Sequence, residues 1–357
     1  GETFVVAPPS YRFDLAIEED LIEEIARVYG FDRIPALPPV APAVMRAQPE
    51  SRRTVHEVRE RMAGLGYHET INFSFVEASW EADLAGVTNP IRVLNPIASQ
   101  LSVMRSTLLG GLLANIRYNV NRKSARVRVF EIGRVFVRDA SVEDGPLSVT
   151  GIHQPTRIAG AAFGPASDEQ WAEPSRAVDF FDAKGDVEAL LAPLVVRCEP
   201  AVHPALHPGR SARVLIDGVA IGWIGEVHPR WQRNFDLPTP VAVFELDLAA
   251  VQARGLPKPR ELSRLPGLRR DLAVLVDDAV PASAMLDRLR EGLPPIVESV
   301  EIFDVYRGKG VENGKRSLAF RVLMQDTHRT LVDADADQVM AAAVALLEQS
   351  FGAKLRT

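Results

Sequence analysis

The C-terminal stretch, residues 264–357, alternates between strand and helix patterns in a defined order. RDLAVLVD (270–277) is a short apolar run between charged residues, which predicts a strand. Apolar residues recur at helical spacing over 281–293, where Pro281 stands at the first turn. Two more alternating stretches joined by a Gly-rich turn follow, then a helix pattern over 333–353 and a short final strand. This order predicts a ferredoxin-like βαββαβ domain.

The preceding block, residues 41–255, is dominated by strand patterns. It opens with apolar residues at helical spacing over 50–65, and Gly66 is a natural stop for that helix. The pair Asp217-Gly218 lies between two alternating stretches and is a hairpin signal. The strand patterns are TINFSF, RVRVFEIGRVF, RIAGAAFG, ARVLIDGVAIGWIGEV and VAVFELDL. We therefore predict an α+β fold built on a mainly antiparallel sheet with helices.

Proline-rich stretches separate these blocks. IPALPPVAPAV (34–44) follows an acidic first segment, residues 1–40, and each proline biases its predecessor away from helix. A second such stretch predicts an interdomain linker at 256–263. The chain starts without Met on GETFVV, which reads as a strand already under way. We expect a portion of a longer polypeptide.

Composition narrows the class of protein. The 46% hydrophobic and 25% charged content is typical of a soluble globular protein. The stretch GETFVVAPPSYRFDL has neither a basic segment nor a long apolar core, so we do not expect it to act as a secretory signal. The sequence contains no run of about eighteen apolar residues, so no membrane span is expected. The single cysteine, Cys198, excludes an internal disulfide and a cysteine-rich zinc site and fits a reducing, cytoplasmic setting. The net charge of −6 argues against a general nucleic-acid coat protein, while leaving room for a local basic patch.

Four carboxylates in RFDLAIEEDLIEEIARVYGFDRIP are spaced so that they can lie close together in a helix. Asp20, Glu23 and Glu24 fall at i, i+3 and i+4 and share a helix face, with Asp14 just upstream. Acids near the start of a helix are stabilised by its dipole, which favours a solvated helix. Like charges on one face also repel, and a hard divalent ion such as Mg²⁺ would offset that repulsion. Spacing alone leaves both interpretations open.

The same stretch resembles the end of the domain that precedes the synthetase-like core in the β subunit of bacterial phenylalanyl-tRNA synthetase. The resemblance spans essentially all 357 residues. Further motifs resemble that subunit in the same order, namely LNPIASQLSVMRSTLLGGLL, RVFEIGRVF, DFFDAKGDVEALL, LHPGRSA, IGWIGEVHPRW, LPGLRRDLAVLV, FDVYRG and GKRSLAF.

The resemblance implies partners and cofactors. It assigns Asp14, Asp20, Glu23 and Glu24 to a Mg²⁺ site shared with a catalytic α subunit. It implies an α2β2 heterotetramer that attaches phenylalanine to tRNA(Phe) at the expense of ATP, in which the α subunit binds ATP and phenylalanine. This chain would be the C-terminal part of the β subunit, cytoplasmic and without membrane contact.

Residues 41–255 resemble the family's degenerate copy of a class II catalytic domain. A class II site needs an Arg on a strand and a second Arg in a Gly-rich segment to clamp ATP. Around Glu131 the spacing is Arg-Val-Phe-Glu, one residue off the usual order, and the Gly-rich segment offers Glu226 and His228 instead. We interpret this site as inert and assign no catalytic residue. The helix over 50–65, with TINFSF, resembles the class II dimerisation motif and is expected to pack against α.

The C-terminal domain is similar to the family's anticodon-binding domain. Tyr306 supplies a ring for base stacking, and Asp304, two residues earlier on the strand, shares its face and accepts from a guanine edge. Ser317 matches a further family contact to the base. The residues expected at phosphates are Arg307, Lys309, Lys315 and Arg316. Because exposed Tyr and Lys are common at hairpin tips, pattern alone also allows a solvated edge.

A second hypothesis comes from another class of protein. The chain is then a free-standing, non-catalytic RNA-binding or regulatory protein built from synthetase-like domains. An apolar face left on the helix over 50–65 would argue against that hypothesis, because an orphan has no partner to cover it.

Overall fold

The computed structural model of the protein describes residues 3–44, 47, 49–256, 258–259 and 261–356. The chain divides into two compact units, Gly1–Pro49 and Glu50–Thr357. The domain boundaries expected at residues 40, 255 and 264 stay predictions. None of the helices in the described part of the chain combines the length and apolar character that a bilayer crossing demands.

The first unit is built around helix α1 (Glu18–Tyr29). Gly30, with a φ of 103°, ends the helix, as a residue without a Cβ can at such an angle. A short 3₁₀ turn, Phe31–Arg33, follows. Residues 3–17 contain no strand, so the expectation of a strand under way at the start is wrong for this segment.

The first block of the second unit contains an extended, mostly antiparallel sheet. Its helices are α2 (Val55–Gly64), α3 (Ala78–Trp80), α4 (Leu109–Val120), α5 (Phe180–Leu191), α6 (Pro229–Asn234) and α7 (Leu248–Gln252). Its strands are β1 (His68–Glu69), β2 (Phe75–Val76), β3 (Val103–Met104), β4 (Val127–Arg134), β5 (Val137–Arg138), β6 (Ile152–His153), β7 (Thr156–Phe163), β8 (Val196–Pro200), β9 (Leu206–Ile216), β10 (Val219–Val227) and β11 (Val241–Asp247).

Seven of these strands form one sheet in the order β1-β4-β7-β11-β10-β9-β8. Neighbours are antiparallel except β1 and β4, which confirms the predicted fold class. The Asp217-Gly218 turn joins β9 to β10 with positive φ at both residues, as a type I′ hairpin requires. The strand expected over TINFSF is present only at Phe75, in the small β2–β3 pair.

Alternate residues of this sheet pack into two separate hydrophobic clusters. Phe130 and Phe244 point to one side, where they meet the fully buried Met62 of α2. Their neighbours Val129 and Val243 point to the other side, in the cluster that includes α4. The period of two along each strand thus gives the sheet a helix-covered core on both faces.

The C-terminal block has the predicted ferredoxin-like order. Its elements are β12 (Leu268–Asp277), α8 (Ala282–Gly292), β13 (Val297–Tyr306), β14 (Lys315–Met324), α9 (Asp333–Phe351) and β15 (Lys354–Leu355). The sheet order is β13-β14-β12-β15, with every neighbouring pair antiparallel. Buried residues of the sheet and of α8 and α9 form one cluster, so the two helices cover one face of the sheet. We call the opposite side the open face.

A β-bulge in β13 changes which side chains point to the open face. Before it, Ile302 pairs with Phe320, which is fully buried in the helix-covered cluster. After it, Asp304 pairs with the adjacent residue of β14, so the extra residue is Phe303. Because alternate residues of a strand face opposite sides, Asp304 and Tyr306 lie on the open face.

Candidate functional site

Tyr306 begins a row of residues that crosses the open face. It pairs with Ser317, which pairs in turn with Leu275, and Leu275 pairs with Lys354 at the far edge. Tyr306 is half-buried, and its hydroxyl donates to the Lys309 carbonyl oxygen at 3.3 Å. The structure therefore places the Tyr306 ring on the face of the sheet that lies away from α8 and α9.

Arg356 stacks on this ring, a contact that sequence reasoning missed. Its guanidinium carbon lies 4.7 Å from the centroid of the Tyr306 ring. The Arg356 backbone N–H donates to the Ala273 carbonyl oxygen at 2.9 Å and so extends the pairing of β15 with β12. A basic residue just after the final strand pattern was the available signal.

Asp304 and Ser317 differ in accessibility. Asp304 is exposed and makes no side-chain hydrogen bond within the described residues, so both its oxygens are available as acceptors. Ser317 is only 3% exposed between its two neighbours in the row. A base contact by Ser317 requires the side chains around it to move, and its role stays a prediction.

Two of the four cations expected at phosphates form ion pairs with carboxylates of this domain. Arg307 Nη2 lies 3.0 Å from Asp278 Oδ1, and Lys315 Nζ lies 2.5 Å from Glu312 Oε2. The Lys315 ammonium lowers the pKa of the Glu312 carboxyl. These acids lie on the exposed surface, where ion pairs contribute little to stability, so a phosphate can compete for either cation.

The other two predicted phosphate contacts differ from each other. Arg316 is half-buried and its Nη2 donates to the Val280 carbonyl oxygen at 2.6 Å. Its side chain is thereby committed to the domain's own structure. Lys309 is exposed at the hairpin tip and takes part in no ion pair within the described ranges. Of the four cations, Lys309 is the most accessible to a phosphate.

In the first unit, Asp14 and Glu24 converge on one arginine. Arg12 Nη2 donates to Asp14 Oδ2 at 2.8 Å and to Glu24 Oε1 at 2.7 Å. Arg27 Nη2 donates to the other oxygen of Glu24 at 2.6 Å. The two guanidinium groups lower the pKa of Glu24 to about 2, and Arg12 makes the larger contribution. Arg12 likewise lowers the pKa of Asp14.

Asp20 and Glu23, the other predicted ligands, do not join this cluster. Asp20 Oδ2 accepts from the backbone N–H groups of Ala16 and Ile17 at 2.7 and 2.9 Å, which satisfies donors at the start of α1 and lowers the pKa of Asp20. Glu23 is exposed. The described residues contain no group of three or more potential ligands arranged around a metal position. The four-residue magnesium site stays a prediction.

In the core, the residues at the positions where the resemblance implies an inert ATP site make contacts within the fold. Buried Glu131 pairs with buried Arg105 at 2.7 Å and accepts from the Asn72 amide at 2.7 Å. Arg128 pairs with Asp186 at 2.8 Å. Arg105 and Arg128 are therefore both paired with carboxylates of this chain.

Two residues of the Gly-rich segment, Glu226 and His228, also make contacts within the chain. Glu226 is buried and lies 3.0 Å from Arg210 Nε. His228 Nδ1 accepts from the Arg230 backbone N–H at 3.0 Å and caps α6. Both residues thus make contacts within the fold, and the interpretation of this segment as inert stays a prediction.

The segment expected to meet an α subunit is only partly available. Val58 and Met62 of α2 are buried in this chain's own core, so the helix leaves no apolar face for a partner. In the TINFSF segment that follows, however, Ile71 is 94% and Phe73 71% exposed. The exposed apolar face that would have argued against a free-standing protein is therefore not found on this helix, and exposed apolar side chains lie on the following segment instead.

Comparisons with protein families match nearly the whole chain. Residues 34–248 match the family model described as "Phenylalanyl tRNA synthetase beta chain CLM domain". Residues 263–356 match "Ferredoxin-fold anticodon binding domain" and residues 1–31 match "tRNA synthetase B5 domain".

Curated relatives are similar over the full chain. The phenylalanine–tRNA ligase beta subunit of Ralstonia nicotianae is 56% identical over 368 residues, and that of Cupriavidus pinatubonensis is 54% identical over 365 residues. Each alignment covers 100% of this chain and 45% of the relative, so the chain spans about half the length of the relatives it matches. A solved pyrrolysyl-tRNA synthetase from Desulfitobacterium hafniense aligns with a TM-score of 0.40 and 14% identity over 56% of this chain and 68% of its own. That similarity is too low to support an argument.

Proposed function

Because this chain belongs to the phenylalanyl-tRNA synthetase beta-chain family, we propose that it is the C-terminal part of a phenylalanine–tRNA ligase beta subunit. In that role it supports the ATP-dependent attachment of phenylalanine to tRNA(Phe) in the cytoplasm without carrying out the chemistry. The observation that carries the proposal is the open face, which presents Tyr306 and Asp304 inside the stretch that matches anticodon-binding domains.

Recognition of the anticodon follows from the chemistry of that face. An unpaired base stacks on the Tyr306 ring, since any base offers a π surface to an aromatic side chain. The Asp304 carboxylate is a pure acceptor, and the Watson–Crick edge of guanine offers N–H donors. Lys309 at the hairpin tip meets the phosphate backbone, which adds affinity without sequence preference.

The core serves as a scaffold for a catalytic α subunit. Its arginines near the degenerate site, Arg105 and Arg128, are bound to buried or partly buried carboxylates, so activation of phenylalanine belongs to the partner. Ile71 and Phe73 expose apolar surface on a segment next to the β2–β3 pair, and burying it against α would favour assembly of an α2β2 complex.

Magnesium belongs to the same proposal. Asp14 and Glu24 supply carboxylate oxygens, which suit Mg²⁺, and both already meet one cationic nitrogen of Arg12. These two residues fit a shared ion once Arg12 moves, whereas Asp20 and Glu23 would need to turn toward them. When bound, the ion supplies positive charge that links carboxylates of this chain to those of a partner. Held there, Asp14 and Glu24 would orient the acidic segment for assembly.

Co-expression with the alpha subunit of a phenylalanine–tRNA ligase tests the proposal. We expect the two chains to co-elute in size-exclusion chromatography, and phenylalanine-dependent pyrophosphate exchange to require the alpha subunit. Robust exchange by this chain alone would contradict the non-catalytic role. Binding of tRNA(Phe) without any co-elution would instead favour a free-standing RNA-binding protein.

A further inference from the structure

The core contains a cavity that the proposed function does not use. It has a volume of about 490 Å³ and lies beside the large sheet, between the loop 85–91 and strands β7, β10 and β11. This volume is within the range of pockets that hold small ligands. The fold does not fill it with side chains.

Glu81 lines this cavity with an unpartnered oxygen. The residue is 1% exposed, and its Oε1 accepts from the Ser106 backbone N–H at 3.0 Å. Its Oε2, and the Ser106 hydroxyl that also lines the cavity, have no hydrogen-bond partner among the described residues. Buried polar atoms are nearly always paired, so the unpaired Oε2 of Glu81 indicates a missing donor, and the Ser106 hydroxyl, which can donate or accept, indicates a missing polar partner of either kind.

Glu81 is buried close to a second carboxylate, that of Glu245. Burial raises the pKa of Glu81, and the nearby Glu245 carboxylate adds to that effect against the opposing Ser106 contacts. Glu245 is itself satisfied: it accepts from the Thr107 hydroxyl and from Arg157 Nη1 at 2.7 and 2.5 Å. A buried carboxyl without a partner takes up either a proton or a cation.

The described cations around the cavity are already engaged, which disfavours an anionic ligand. Arg157 is held by Glu245. Arg138 Nε donates to the Asn89 carbonyl oxygen at 3.1 Å, and its Nη2 donates to that of Pro90 at 3.4 Å. A phosphate or carboxylate would have to break one of these contacts.

Another part of the lining is aromatic and apolar. The Trp223 ring packs against His203 at a tilt of 52° with 4.9 Å between centroids, and Leu206 and Val243 also line the cavity. Burial lowers the pKa of His203, so this imidazole is neutral near pH 7. An apolar body fits against this wall without desolvating a charge.

We propose that this cavity binds a small primary amine whose ammonium donates to Glu81 Oε2 and the Ser106 hydroxyl while its apolar body lies against Trp223. The ligand supplies the donor that the two orphaned oxygens lack. This proposal does not depend on the chain's role in aminoacylation.

Fluorine NMR of 5-fluorotryptophan-labelled protein tests the proposal with 2-phenylethylamine as the probe. The chain has four tryptophans, and a Trp→Phe variant of each assigns its signal. We expect the Trp223 signal to shift saturably, with a dissociation constant on the order of 0.1–1 mM. The signal of Trp171, which is fully exposed outside the cavity, should not move. The same-sized 2-phenylethanol and 3-phenylpropionate should bind at least tenfold more weakly.

Glu81→Gln should raise the dissociation constant of the amine at least tenfold, and Glu199→Gln, at an exposed carboxylate on β8, should leave it unchanged. If Glu81→Gln does not fold, Ser106→Ala should raise the constant about threefold, with Ser124→Ala as its control. A Trp223 signal that ignores the amine, or that responds equally to the acid, would overturn the proposal. So would equal amine affinity in the folded Glu81→Gln variant.

Discussion

The guanidinium carbon of Arg356 lies 4.7 Å from the centroid of the Tyr306 ring. Tyr306 ends the edge strand β13, whereas Arg356 follows β15 at the opposite edge of the same sheet. The two side chains therefore reach toward each other over the open face. A cation on an aromatic ring at such a site contributes about 0.5–1 kcal/mol. The same two groups are the ones that stack on bases in RNA.

Tyr306→Ala should cost about 1–3 kcal/mol of tRNA(Phe) binding, because it removes the stacking ring. Tyr306→Phe should retain most of that affinity, since the hydroxyl does not stack. Filter binding or fluorescence anisotropy measures both. Tyr118→Ala is the matched control, because Tyr118 likewise has an arginine, Arg122, over its ring but lies exposed on α4 of the core. Equal losses for Tyr306→Ala and Tyr118→Ala would contradict the stacking role.

Arg356→Ala should weaken tRNA binding about threefold to tenfold and reduce the slope of log affinity against log salt by about one. Arg356→Lys should keep the salt slope, because the charge remains, but should not restore full affinity, because an ammonium cannot stack as a plane. Binding measured at several salt concentrations separates the contribution of the Arg356 charge from that of its stacking. An unchanged salt slope in Arg356→Ala would show that Arg356 only supports the Tyr306 ring.

Asp304→Asn should relax the preference for guanine more than it lowers overall affinity. The amide can donate as well as accept, so it tolerates bases that a carboxylate rejects. Binding of tRNA(Phe) and of anticodon-substituted transcripts measures the effect. Asp217→Asn, in the hairpin turn of the core, is a control for the loss of one exposed charge. A uniform loss across all transcripts would argue against base readout by Asp304.

Arg12→Gln should raise the affinity of this chain for Mg²⁺ at least threefold. The guanidinium occupies the position between Asp14 and Glu24, so its removal leaves two carboxylates without a cation. Isothermal titration calorimetry gives the affinity, and Arg33→Gln, in the same unit, controls for the change in net charge. Adding Asp14→Asn to Arg12→Gln should abolish the gain. Equal affinity in Arg12→Gln and the unmodified chain would argue against this pair as ligands.

The C-terminal domain should lose stability in acid as the Arg329–Asp335 ion pair is broken by protonation of Asp335. Arg329 donates to both oxygens of Asp335 at 2.8 Å, and together with a backbone N–H it lowers the pKa of Asp335 from 3.8 to about 2. A carboxyl with a lowered folded-state pKa stabilises the fold above its unfolded pKa, and that contribution is lost as pH falls from about 4 to 2.

Asp335→Asn should accordingly lower the free energy of unfolding at pH 6 and match the unmodified chain near pH 2. Urea denaturation at each pH measures the difference. Asp337→Asn, an exposed change on the same helix, should show no such convergence. A constant difference between the Asp335→Asn variant and the unmodified chain at every pH would contradict the assignment.

The patterns of apolar and polar residues predicted most of the helices, strands and hairpins, because each of these elements depends on residues close together in the sequence. The β9–β10 hairpin followed from Asp217-Gly218, and the ferredoxin-like order followed from the period of each segment. The expected strand at the start of the chain failed for the opposite reason. A strand needs a partner, and the pattern of residues 3–17 does not say whether one is present.

The candidate sites were less accessible to sequence reasoning, because they join residues far apart in the chain. Tyr306 could be identified from its own motif, but its contact with Arg356 depends on the pairing of β15 with β12. The burial of Ser317 depends on the residues on both sides of it in the sheet. The unpartnered oxygen of Glu81 gives no local pattern at all.

Because of the bulge at Phe303, the number of residues in β13 decides which side chains lie on the open face. Residues before the bulge, such as Ile302, point to the helices, and by unbroken alternation Tyr306 would point there too. Deleting Phe303 would remove only the extra residue, so Asp304 would still pair with Ala319 and Tyr306 with Ser317, and the tyrosine ring would stay on the open face. Deleting one residue between the bulge and Tyr306, with the pairing of Ile302 unchanged, would instead move the ring into the core, because every later position of the strand would change sides. The number of residues in this strand is therefore itself a determinant of what the surface can bind.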